Sequence, residues 1–165
     1  MVTEKTYPAE IEEILASVSD PEIPVLSVLD LGIIKEVHKE GDCYKISIIP
    51  TYSGCPAMDT ISDDLKAAFA QAGKQAEVKQ ELSPAWNTDM ISERGRKALE
   101  KYGIAAPLDA SADKEALLGK SNQVKCTNCG SKNTKLVSQF GSTACKALFQ
   151  CKDCHEPFDY FKCLK

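Results

Sequence analysis

Four cysteines near the C-terminus, Cys126, Cys129, Cys151 and Cys154, form two C-x-x-C pairs with 21 residues between them. A two-residue gap lets both thiolates of one turn reach a single ion, and two such turns complete tetrahedral four-sulfur coordination. In a reducing compartment, clustering of this kind points to metal binding or dithiol chemistry rather than to a disulfide framework. Closed structural zinc is the expected chemistry; iron, an iron–sulfur cluster or a redox-active dithiol are the alternatives. His155, beside a ligand position, offers a substitute donor. Cys145 and Cys163 fall outside the paired spacing, each next to or near a lysine (Lys146, Lys162). They read either as buried thiols packing like small hydrophobes or as secondary thiols whose pKa the lysines lower.

A second candidate lies in the first half of the chain. In Thr51-Tyr52-Ser53-Gly54-Cys55-Pro56, proline suits the first helical position, which puts Cys55 at the helix N-cap. Free backbone N–H groups and the positive end of the dipole would favour a thiolate there. Asp20, Glu22 and Asp30 belong to loops bordering the same sheet, and the fold decides whether they meet Cys55. A plain structural reading stands beside the chemical one: Cys55 caps a helix and Asp20 closes a turn.

These groups need elements to position them. Ile11, Ile14, Leu15 and Val18 recur at helical spacing, with Glu10, Glu12 and Glu13 toward the helix start. Asp20-Pro21-Glu22-Ile23-Pro24 ends that helix in an extended or turned segment. Residues 33–38 and 43–49 read as a hairpin around Lys39-Glu40-Gly41-Asp42. Met58, Ile61, Leu65, Ala68 and Phe69 mark a second helix, residues 76–82 alternate as a third strand, and a polar helix runs to about Tyr102. The order αββαβα predicts a compact α+β domain over 1–105. Residues 106–124 read as a linker, with Lys114–Leu118 suited to a short helix. The segment 125–165 then forms a ribbon with strands near 135–140 and 146–150. Some forty residues bury too little surface to fold alone, so the ion would supply much of their stability.

The chain has 165 residues, 43% hydrophobic and 27% charged, with a formal net charge of -4. From residue 121 onward seven lysines face three acids, or +4, leaving -8 on the first 120 residues. Scattered lysines behind so acidic a body argue against nucleic acid as a partner. No apolar run approaches the roughly 20 residues needed to cross a bilayer, and acidic residues stand where a signal peptide would be apolar. No membrane partner and a cytoplasmic location are therefore expected. A glycine-rich phosphate loop, a flavin fingerprint, an E-x-x-H di-iron motif and a Ser-His-Asp set are all missing, with two histidines in total. An accessory role is expected rather than an enzyme.

Asp20-Pro21-Glu22-Ile23-Pro24, Asp30-Leu31-Gly32 and Pro50–Pro56 together resemble the metal–sulfur cluster assembly domain family, over roughly residues 8–105. With Pro84-Ala85-Trp86 and the tail segments 140–147 and 156–163, the whole chain is similar to the small accessory subunits of aerobic phenylacetate degradation systems. The resemblance implies the cysteine of the T-x-x-x-C-P motif as the reactive or cluster-handling thiol, here Cys55, with Thr51 and Asp20 beside it as candidates. It implies zinc in the tail and transient iron or an iron–sulfur cluster as cargo. It also implies the oxygenase and reductase subunits of phenylacetyl-CoA epoxidase as partners, and leaves a homodimer open. Assistance in assembling or inserting iron or iron–sulfur units follows as the expected function; a thiol-redox protein and a non-catalytic structural subunit are the alternatives. Thr127 departs from the family, which usually has proline after the first cysteine of the knuckle; the coordination is untouched and only local rigidity changes.

Overall fold

The computed structural model describes residues 5–120 and 124–162, so Cys163 and the linker's Ser121 lie outside the described residues. The chain divides into two compact units between Gly95 and Arg96.

In the first unit, α1 (Ala9–Ala16) buries Ile11, Ile14 and Leu15 and carries Glu10 and Glu12 in its first turn. Val18, the last residue of the apolar stripe, is buried just past the helix end. There the Asp20 carboxylate accepts the N–H groups of Glu22 (2.7 Å) and Ile23 (3.1 Å), and a bridge between Ser19 and Ser27 closes the Asp-Pro-Glu-Ile-Pro turn. α2 (Val28–Leu31) is a single turn capped by Ser27. β1 (Ile34–Glu40) and β2 (Cys43–Ile48) form the expected antiparallel hairpin, with an irregularity between Ile34 and Glu36. α3 (Ala57–Gln71) is the crossover that lets β3 (Gln75–Gln80) pair parallel to β2, giving strand order β1-β2-β3. Ile46 and Ile48 on one face of β2 are buried, as are Ile61, Leu65 and Phe69 of α3. That match of period-2 and period-3.6 apolar stripes is what drives the layer together.

The second unit departs from the sequence-based boundaries. β4 (Ile104–Ala105) pairs parallel to β7 (Pro157–Phe161), which continues antiparallel to β6 (Lys146–Cys151) and then to β5 (Thr134–Ser138). α4 (Glu93–Tyr102) leads toward β4, and α5 (Ala110–Leu117) occupies the expected linker. Ala116 is fully buried, and Val124 nearly so, in one core with Ala147, Phe149, Phe158 and Tyr160. The physical reason is the one that made a lone ribbon doubtful: too little apolar area, here supplemented by α5 and β4. The Tyr160 hydroxyl donates to buried Asp113 and accepts from Leu108 N–H at 3.0 Å, fixing the helical segment to the sheet. Phe158, Tyr160 and Phe161 are therefore core residues.

Candidate metal centre

Each C-x-x-C pair sits in a tight turn at one end of the ribbon. Around the first, Cys126 N–H donates to Ser131 carbonyl (2.8 Å) and Gly130 N–H to Cys126 carbonyl (3.0 Å); around the second, Cys151 N–H donates to Glu156 carbonyl (2.9 Å). Backbone N–H groups also point at sulfur, from Asn128 to Cys126 Sγ at 3.4 Å and from Cys154 to Cys151 Sγ at 3.5 Å. Each knuckle ends on a residue of positive φ, Gly130 at 74° and His155 at 63°. Histidine thus occupies the position where glycine is unstrained. The two turns are laced together through Asp153, which accepts from Asn133 Nδ2 (2.7 Å) and from the Ser131 hydroxyl. Lys152 N–H adds a bond to Asn133 carbonyl at 2.8 Å.

The four sulfurs of Cys126, Cys129, Cys151 and Cys154 lie within 4.8 Å of one another. Cys126 faces Cys154 and Cys129 faces Cys151, each pair at 3.6 Å. A tetrahedral ion with metal–sulfur bonds of about 2.3 Å demands edges of about 3.8 Å. The donor set fits. Electrostatics agree: Glu156 N–H and the Asn128 amide hold Cys154 down to about 6. Cys129, despite a backbone hydrogen bond from Ser131, is pushed up to about 12 by the sulfurs of Cys151, Cys154 and Cys126. Thiols this close share protons unless a cation neutralises them. Among the described residues this is the convergent group of three or more metal-ligating side chains; His155 does not join it.

The remaining candidates are dispersed. Cys145 is buried with its Sγ 3.1 Å from Thr143 Oγ1, outside the four-sulfur group. Cys55 is half-buried in the loop between β2 and α3. Pro56, not Cys55, is the cap residue of α3, so the cysteine sits one position further out than its sequence suggests. Its N–H donates to Tyr52 carbonyl at 3.2 Å, and Thr51 lies in the same loop. Asp20 faces its own turn, as described above. Asp30 is likewise committed: it accepts from Ser27 Oγ (2.9 Å), Ser92 Oγ (2.6 Å) and Arg94 Nε (2.9 Å). Burial alone would raise its pKa, but those hydrogen bonds and the guanidinium hold it below the ordinary carboxylate value.

Sequence reasoning missed what the Asp30-Leu31-Gly32 motif does. Leu31 carbonyl accepts from buried Trp86 Nε1 at 2.8 Å. Gly32, at φ 75°, lies so close to Met90 that a Cβ would come within 2.1 Å of its carbonyl oxygen. Asp30, Leu31 and Gly32 together dock the 86–95 segment. The pairing of Pro84-Ala85-Trp86 with this motif in the family pattern was the available signal.

Comparison with known proteins follows the same division. Residues 8–80 match the model of an iron–sulfur cluster assembly protein family, and residues 110–162 match the PaaD zinc beta ribbon domain. The second match begins within α5, in keeping with its part in the ribbon core. A domain of unknown function, DUF59, from Bacillus anthracis has a crystal structure similar to 55% of this chain and 88% of its own, with a TM-score of 0.50 and 26% identity. A putative 1,2-phenylacetyl-CoA epoxidase subunit of Escherichia coli strain K12 is 42% identical over 156 residues, covering 94% of this chain and 92% of that protein. The cysteine-bearing ribbon, the assembly-type domain and that end-to-end similarity place this chain in the PaaD family of phenylacetyl-CoA epoxidase subunits.

Proposed function

We propose that this chain is a non-catalytic accessory factor of a phenylacetyl-CoA epoxidase and that it assists assembly or insertion of iron or an iron–sulfur cluster in that system. One observation carries the reading: a cluster-assembly-type domain and a closed four-cysteine ribbon occur in a single chain similar throughout to an epoxidase subunit. The four-sulfur cluster and the partial exposure of Cys55 support a division of labour. Cys126, Cys129, Cys151 and Cys154 hold zinc as a structural ion, since four sulfurs saturate it and leave no open position for chemistry. Cys55 is then the thiol that handles the transient iron or cluster, in a loop that is half open to solvent. Thr51 lies in that loop, and Asp20 holds its own Asp-Pro-Glu-Ile-Pro turn. The oxygenase and reductase subunits are the recipients, in the cytoplasm.

The test is epoxidase isolated from cells lacking this chain, analysed for iron and for 2Fe-2S cluster content. Low metal restored by the wild-type chain but not by Cys55→Ala is the expected result. Full metal with normal turnover on phenylacetyl-CoA would sink the maturation reading. Full metal with activity regained only on adding the chain back would make it a working structural subunit.

A further inference from the structure

The segment Phe140-Gly141-Ser142-Thr143-Ala144-Cys145-Lys146 lies in the second unit but supplies no metal ligand. Its first residue is 63% exposed, an unusual placement for phenylalanine inside a heavily bonded loop. Phe140 N–H donates to Ser138 Oγ at 3.1 Å, and Gly141 N–H to Lys146 carbonyl at 2.7 Å. Ser142 Oγ donates to Asp159 at 3.2 Å, and Lys162 N–H to Cys145 carbonyl at 2.9 Å. Gly141 lies against this network: a Cβ there would come within 2.7 Å of the Asp159 carboxylate, which would have to shift. The ammonium of Lys162, itself 4% exposed, donates to Gln139 carbonyl and lies 4.2 Å from the Phe140 ring centroid. A buried lysine is thus used to brace the inner face of a ring whose other face meets solvent.

Two further apolar side chains are exposed at this edge. Val137, at the irregularity of β5, is 53% exposed. Gln139 Nε2 donates to Leu117 carbonyl at 3.2 Å, bringing the end of α5 and exposed Leu118 to the same edge. Lys135 shares the exposed face of β5 with Val137. Over residues 124–162 four lysines (Lys125, Lys132, Lys135 and Lys152) are exposed while Lys146 and Lys162 are buried, against three acids. Two of those acids are occupied within the ribbon, Asp153 by Ser131 and Asn133 and Asp159 by Ser142.

We infer that Phe140, held rigid by this loop and flanked by Val137 and Leu118, is the anchor of a docking surface for a protein partner presenting an apolar pocket rimmed by carboxylates. A braced aromatic loses little conformational freedom on binding, as interface anchors should. Exposed Lys135, on the same face of β5 as Val137, favours an acidic rim and makes association salt-dependent. This inference rests on the accessory-factor reading, whose subunits are the partners to be tried.

The experiment titrates the full zinc-loaded chain against purified epoxidase oxygenase and reductase subunits by calorimetry at two salt concentrations. Phe140→Ala should weaken binding to one of them at least about tenfold, while Phe140→Tyr retains it. Lys135→Glu should weaken it several-fold at low salt and less at high salt. Leu82→Ala, at a 72% exposed position in the first unit, should leave it unchanged, and zinc content should stay constant throughout. Binding of Phe140→Ala at wild-type strength overturns the inference. So does wild-type chain that binds neither subunit, even where its deletion still lowers epoxidase metal. Phe140-dependent binding combined with full metal in the deletion strain upholds the surface and removes the maturation role.

Discussion

At the scale of single residues, the second knuckle holds a conformational cost that the first avoids. An L-residue in the left-handed region costs roughly 1–2 kcal/mol, and glycine gives back part of that gain through its extra freedom when unfolded. His155→Gly should therefore stabilise the ribbon by about 0.5–1 kcal/mol, read as a higher melting temperature at fixed zinc; a lower one would show that the imidazole contributes something the backbone argument omits. The thiols are also distinguishable by burial. Cys55 is half-buried whereas Cys145 is 5% exposed. In the folded, metal-loaded protein a maleimide should label Cys55 well ahead of Cys145, as read by peptide mass mapping over a time course. Equal protection of the two would remove the physical case for Cys55 as an accessible cluster-handling thiol.

At the scale of elements, the single-turn helix α2 does more than its length suggests, because Asp30 joins it to Ser92 and Arg94. The folded carboxyl is held below its ordinary value. Its stabilisation is therefore complete above the unfolded pKa, near 4, and is lost as pH falls through the lower folded value. Asp30→Asn should cost about 2 kcal/mol at neutral pH and flatten the acid limb of unfolding below about pH 4. Equilibrium denaturation from pH 3 to 7 checks both parts. An unchanged acid limb would mean that other carboxylates dominate acid unfolding.

At the scale of the whole molecule, two compact units predict two separable responses to metal removal. Structural zinc contributes on the order of 10 kcal/mol in small sites, far more than a ribbon's own core is expected to supply. Chelation, or Cys151→Ser, should abolish hydrogen-exchange protection in β5, β6 and β7 while β2 and α3 keep theirs. Simultaneous loss in both units would show that the first depends on the ion as well.

The sequence by itself determined the features that rest on local spacing. Two C-x-x-C turns can reach one ion whatever surrounds them, and the apolar periods of α1, α3, β1 and β2 follow from contacts between near neighbours in the chain. The tertiary structure decided what depends on long-range pairing. Ile104 and Ala105 became a ribbon strand by pairing with Asp159 and Tyr160, over fifty residues away. Likewise α5 was drawn into a core that the ribbon could not fill alone. Cys55 moved off the helix cap because Pro56 took it, and Asp30, equally open to a chemical role by sequence, was claimed by Ser92 and Arg94. A carboxylate or thiol carries the same chemistry wherever it stands. Its partners, which the fold supplies from distant segments, decide whether that chemistry is spent on structure or left available.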